Sequence, residues 1–298
     1  MTLISPQAFQ PLKGVRVLSL ALNLPGPAAL MRLVQMGAAC LKLEPPGGDP
    51  MAQYSARAYD KLHEGIQTRT ADLKTDAGQQ QLARELAQTD VLITSFRPSA
   101  LAKLGLSWPA LQEKYPQLSQ IAIFGAPGER AEEAGHDLTY QADNDLITGL
   151  ELPATLYADM GGALMTSEAV LQAVLHQRSE GRGAYVEVAL SGAAGFLALP
   201  RAWGVTELGA AVGGGHAGYR IYPCQDGRVA MAALEPHFAR RLCMAAGIEM
   251  PGIQTMFEAA THEAVAAFLL TQTRAQLDTL ALEKDVPLHT LKPTSSHE

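Results

Sequence analysis

The sequence lacks the marks of several protein classes. It has only three cysteines, Cys40, Cys224 and Cys243, in 298 residues. They have no metal-type spacing and cannot all pair with one another, so a reduced, cytoplasmic chain is the reading. No basic stretch followed by an apolar core opens the chain, so no secretory signal is expected. No uninterrupted apolar run reaches the ~18 residues of a membrane-spanning helix. Aromatic residues are scarce, at 6%. Positive charge is in deficit: 23 Lys and Arg stand against 30 Asp and Glu, a net charge of −7. That balance excludes a general surface for nucleic acid or anionic membrane, and any phosphate-bearing ligand must be met by local cations.

Hydrophobic residues, by contrast, make up 47% of the chain. That is enough to fill the core of one large or two modest domains. Short apolar runs at 16–20, 39–43, 69–73, 91–94, 121–124 and 185–190 read as strands. They alternate with helical stretches, one opening at Pro25-Gly26-Pro27, one capped by Thr75 or Asp76, and one over 164–177. This alternation implies a parallel sheet with helices on both faces, where ligands sit beyond the carboxyl ends of the strands. Strands near 219–222 and 229–234, with helices after them, form a smaller second domain. The expected fold is α/β: a Rossmann-like large domain over 1–212 and a small α+β domain over 213–298, divided at the flexible loop Gly213-Gly214-Gly215.

Two segments stand out chemically, AGHDLTYQA and YADMGGA. Each sets an ionisable group beside glycine: His136 after Gly135, and Asp159 before Gly161 and Gly162. With a helix opening near Met160, Asp159 is a natural N-cap, and the N–H groups of Met160 to Gly162 are free to meet an anion or a developing oxyanion. Asp137 reads as structural. Asp143, Asn144 and Asp145 lack the spacing of a calcium loop and read as a solvated turn. Lys42 ends one strand, and Phe96, Arg97 and Lys103 follow another at its ligand-facing end. They suit nucleotide phosphates and a purine face.

These segments are part of a longer ordered series: PLKGVRVLSL, LPGPAA, MGAACLKLEPPGGDP, ADLKTDAG, SFRPSALAKLGLSW, GRGAYVEVAL and DGRVAMAALEPHF. The series resembles the family III CoA-transferases over 11–291, and most of all their α-methylacyl-CoA racemase branch. The resemblance implies that His136 and Asp159 are the two acid/base groups and that Glu235, in ALEP, is the histidine's partner. It places CoA contacts on the segment of Arg97 and Lys103, ahead of Lys42. It implies an acyl-CoA substrate, with CoA brought in by the substrate and no tightly bound cofactor or metal, and a homodimer, interlocked as in the family. The expected activity is epimerisation of a 2-methylacyl-CoA. The alternatives are CoA transfer between carboxylic acids through Asp159, for which Gly213 to Gly215 stands as a glycine loop, and a non-catalytic acyl-CoA-binding member. The chain departs from the pattern in three places. Asn144-Asp145 replaces a small Ser-Gly pair and is expected to crowd the acyl pocket. The stretch AYDKLHEGIQTRT carries less positive charge than usual. The family's further C-terminal return to the large domain does not follow DVPLHTL.

Overall fold

The computed structural model describes residues 9–250 and 252–293. The chain divides into two compact units between Ala198 and Leu199, ahead of the Gly213 loop.

The first unit contains β1 (Arg16–Ser19), α1 (Pro25–Gln35), β2 (Ala39–Glu44), α2 (Pro50–Tyr54), α3 (Ala56–Leu62), β3 (Gln67–Thr70) and α4 (Asp76–Leu86). There follow β4 (Val91–Thr94), α5 (Pro98–Lys103), α6 (Trp108–Lys114), β5 (Ser119–Phe124), α7 (Asp137–Ala142), α8 (Tyr157–Glu180), β6 (Tyr185–Ala189) and α9 (Leu190–Ala202), whose last turn passes the division. The six strands are all parallel, in the order β3-β2-β1-β4-β5-β6. Strand order reverses between β1 and β4, which opens a crevice at their carboxyl ends.

Strand pleating explains the two cores. Val17, Val91, Ile93, Ile121 and Ile123 face α1 and α8, packing with Leu30, Leu33, Val170 and Val174. Their neighbours Leu18, Leu92 and Ala122 face the other way, against Leu82, Leu101 and Leu111 of α4, α5 and α6. Covered on both faces, β4 and β5 are buried at every position, and their sequences VLIT and SQIAIF are mostly apolar. At the sheet edge β3 reads QTRT and is exposed throughout.

Helix α8 begins at Tyr157, well before the 164–177 stretch expected from the apolar pattern. Gly161 and Gly162 lie within it, on its buried face. A Cβ on Gly161 would meet Ala193 and Leu197, and one on Gly162 would come within 2.3 Å of Leu190. These glycines therefore let α8 and α9 pack closely, rather than bringing backbone to a ligand.

The second unit has β7 (Tyr219–Cys224), β8 (Gly227–Ala232), α10 (Pro236–Ala246), α11 (Ala259–Leu270), α12 (Arg274–Lys284) and β9 (Leu288–Leu291). Its sheet is antiparallel, β7-β8-β9, and buries Val229, Met231, Leu242, Val265, Leu269 and Leu277. The Gly213 to Gly215 loop is tightly folded: a Cβ at Gly213 would lie 1.7 Å from the Glu207 carbonyl, and one at Gly215 2.0 Å from that of Gly209. Among the described residues no helix is long and apolar enough to cross a membrane.

Candidate active site

The crevice beyond β1, β4 and β5 holds a cleft of about 180 Å³, lined among others by Asn23, Ser95, Arg97, His136, Tyr140 and Asp159. Residues far apart in sequence thus meet where the strand order predicts a ligand. Asn23, just after β1, has a positive φ of 64°. Its N–H donates to Asp49 Oδ1 at 3.0 Å, and the N–H of Leu22 donates to Ser95 Oγ at 3.3 Å.

His136 is the N-cap residue of α7, with extended backbone. Its N–H donates to Thr139 Oγ1 at 3.1 Å, and the Thr139 hydroxyl donates to the His136 carbonyl at 2.7 Å. The cap is closed by threonine and backbone, so the imidazole is left to the cleft.

Asp137 is the link that sequence reasoning undervalued. It is buried, accepts from the Gln141 side chain, and accepts the backbone N–H of Asp159 at 3.0 Å. It therefore joins the start of α7, next to His136, to the first turn of α8. Asp159 itself is half-buried, and its carboxyl is pushed up to about 7, first by burial and second by the negative charge of Asp137. A helix N-terminus ordinarily favours the charged form; here desolvation outweighs it.

The expected oxyanion donors need correcting. The N–H of Met160 bonds to the Leu156 carbonyl at 3.0 Å, and Gly161 and Gly162 lie inside the helix. Because α8 starts early, these groups are spent on helical bonds. Asn144 does not line the cleft: its side-chain amide donates to the carbonyls of Tyr140 at 2.8 Å and Ser191 at 3.0 Å, tying α7 to α9. Asp145 takes a positive φ just beyond.

The sequence-derived cation candidates separate. Arg97 is exposed, lines the cleft, and has no ion pair among the described residues. Lys103 is exposed in the last turn of α5 and is not among the cleft residues. Phe96 packs against the α4–α6 core instead of offering a free ring. Lys42 is wholly buried. Its ammonium is held by Asp49, by Glu44 at 2.9 Å, and by His63 Nε2 at 2.8 Å. His63 Nδ1 sits 2.7 Å from the Tyr59 carbonyl and so must donate there, which leaves Nε2 as an acceptor for Lys42. The histidine is neutral in this arrangement, and burial lowers its pKa. All three ammonium protons are committed, so Lys42 has none to offer a phosphate. Glu44, Asp49 and His63 are also close enough together to ligate a metal, but the ammonium occupies their centre. Glu235 belongs to the second unit, where it is the exposed residue before Pro236 at the start of α10. Tyr140 was not singled out by sequence reasoning, and its only signal there is the pair of glycines, Gly125 and Gly135, that frames it in space.

Comparison with known proteins identifies the family. The description of CoA-transferase family III matches residues 12–296. A probable fatty acyl-CoA transferase of Mycobacterium tuberculosis is 31% identical over an alignment of 200 residues that covers 61% of this chain; the chain spans 50% of that relative's length. The alpha-methylacyl-CoA racemase of Homo sapiens is 27% identical over 267 residues, covering 82% of this chain and 68% of the human protein. The crystal structure of a hypothetical protein from Mycobacterium tuberculosis superposes with a TM-score of 0.81 over 98% of this chain and 94% of that one, at 23% identity, and shares the fold. On the family match and this shared fold, the chain belongs to CoA-transferase family III.

Proposed function

We propose that the chain acts on acyl-CoA thioesters and epimerises a 2-methylacyl-CoA by moving one proton off and on its α-carbon. The observation that carries this reading is that His136 and Asp159 line a single cleft, with the Asp159 carboxyl near neutrality. The α-proton of a thioester is weakly acidic, so its removal needs a placed base and a stabilised enolate oxygen. Neutral His136 takes the proton from one face, and protonated Asp159 returns one to the other; in reverse the roles exchange. A carboxyl near pH 7 is suited to both tasks. Each acid/base group contributes typically ~10²–10⁴-fold, so stabilisation of the enolate oxygen has to supply much of the remainder. Arg97, exposed at the cleft and without an ion pair among the described residues, is the candidate for a CoA phosphate. Exposed Met160, Leu164, Phe196 and Leu197 on α8 and α9 support association of two copies.

The second reading is CoA transfer, with Asp159 as a nucleophile that forms an acyl anhydride and then an aspartyl-CoA thioester. The likeness to a named acyl-CoA transferase favours it. Its weak point is that a nucleophilic carboxylate works ionised, whereas this one is half protonated near pH 7. Incubation with a 2-methylacyl-CoA in deuterium oxide, followed by NMR, separates the two. Under the racemase reading the wild type exchanges the α-hydrogen and inverts the centre, and His136→Ala and Asp159→Ala both lose inversion. Inversion that survives in His136→Ala overturns the two-base scheme. A CoA thioester trapped on Asp159 by mass spectrometry establishes the transferase instead.

A further inference from the structure

Enolisation puts negative charge on the thioester oxygen, and so does attack on the thioester carbonyl. Either chemistry needs a hydrogen-bond donor fixed at that oxygen. The start of α8 does not provide it: the N–H of Asp159 is held by Asp137, and that of Met160 by Leu156. A side chain of the cleft wall can provide it.

We infer that the Tyr140 hydroxyl is this donor, a catalytic residue that holds the thioester oxygen as charge develops on it. The inference rests on the acyl-CoA reading of the cleft. Tyr140 lies four residues after His136, one turn along α7, so both side chains stand on the same side of that helix. Both line the cleft, together with Asp159. Among the described residues the hydroxyl makes no hydrogen bond to protein, while the Tyr140 carbonyl is anchored by Asn144 at 2.8 Å. The ring is half-buried and packs on the α1/α8 core.

Its position is enforced by two absent side chains. A Cβ on Gly125, at the carboxyl end of β5, would stand 2.3 Å from Tyr140 Oη; a Cβ on Gly135 would stand 2.6 Å from its Cε1. Neither glycine has a positive φ, so each contributes space for the tyrosine and not an unusual backbone. The hydroxyl is thus gripped between the end of the central sheet and the residue before His136. Burial first, and the charge of Asp159 second, raise its pKa, with Arg97 opposing them, so it remains a proton donor. Ser95 also lines the cleft, and its oxygen accepts the Leu22 N–H, which leaves its own O–H free; it is the rival donor that Tyr140→Phe discriminates against.

Tyr140→Phe keeps the ring and removes only the donor. Exchange of the α-hydrogen of 2-methylbutanoyl-CoA in deuterium oxide should fall about 10²- to 10³-fold through kcat, with KM little changed, because the bond strengthens in the transition state. The melting temperature and the affinity for CoA alone should stay at wild-type values. Gly125→Ala keeps the hydroxyl but displaces it, and should lose activity similarly. In the Tyr140→Phe background the same change should cost much less. If the wild type transfers CoA without exchanging hydrogen, the variants are read on the transfer rate, with the same losses expected. An active wild type with Tyr140→Phe within twofold of it overturns the inference alone. A wild type inert in both assays overturns the acyl-CoA reading, and the inference with it.

Discussion

Replacing Asp159 with asparagine should make the protein more stable at alkaline pH, and the size of the gain follows from the cleft. In the folded chain the carboxyl is raised to about 7, chiefly because water is removed from around it and secondarily because Asp137 is charged. In the unfolded chain it titrates near ~3.9. The folded state therefore binds this proton more tightly, and stability is lost as pH climbs from the unfolded value towards the folded one. Below about pH 4 the group costs nothing; above about pH 7 the full penalty is present. Integrated from about pH 5 to about pH 8, the linkage gives roughly 2–3 kcal/mol, and water reaching the half-buried carboxyl reduces this to ~1–2 kcal/mol. Urea unfolding of the wild type and Asp159→Asn at the two pH values measures the difference. The asparagine variant should gain on the wild type by that amount as pH rises. Parallel pH dependences would refute the argument, because they would mean that Asp159 titrates alike in both states.

Two further outcomes follow from the cations. Arg97→Ala should weaken CoA binding about 10- to 100-fold by calorimetry, as expected for loss of a charge-assisted contact worth ~1.5–3 kcal/mol, and added salt should weaken the wild type more than the variant; equal affinities would remove this segment from the nucleotide site. Lys42→Met should destabilise the chain by about 3–5 kcal/mol in urea, since it strands Asp49 and Glu44 as buried, uncompensated carboxylates. A near-neutral result would show that water or protonation relieves that cluster.

The parts of the fold legible in the sequence are those where burial dictates composition. The strand β4 is apolar because helices cover both its faces, and its bounds match the expected 91–94. The edge strand β3 carries Gln, Thr and Arg and left no apolar signature, so its expected place at 69–73 drifted from the observed Gln67–Thr70. Strand β9 was missed for a similar reason: LHTL is short, and none of its residues is fully buried. The start of α8 was expected near Met160, with Gly161-Gly162 as ligand-facing glycines of its first turn; the helix begins at Tyr157, and helix packing explains the two glycines. Within the site, His136, Asp159 and Arg97 were visible as unusual residues at strand and helix ends, and the structure brings all three to one cleft. Lys42 had the same sequence signature as Arg97. What separates them is a set of partners at positions 44, 49 and 63, which only folding brings together. Tyr140 escaped notice because a tyrosine in a helical stretch is ordinary, and its grip depends on two glycines from different loops.

The hydrogen bond from the Asp159 backbone to Asp137 has a consequence for how such a cleft changes its chemistry. One side chain sets both where Asp159 stands and how readily it holds a proton, and two simple replacements separate these roles. Glutamate at 137 keeps the charge but moves the acceptor by a methylene; asparagine keeps an acceptor in place and removes the charge. The second change would lower the proton affinity of Asp159 without dislodging it, turning a carboxyl suited to shuttling hydrogen into one more often free to attack a carbonyl. On the proposed reading, position 137, which need not touch the substrate, would weigh isomerisation against group transfer, and a carboxyl titration of Asp137→Asn by NMR would show by how much.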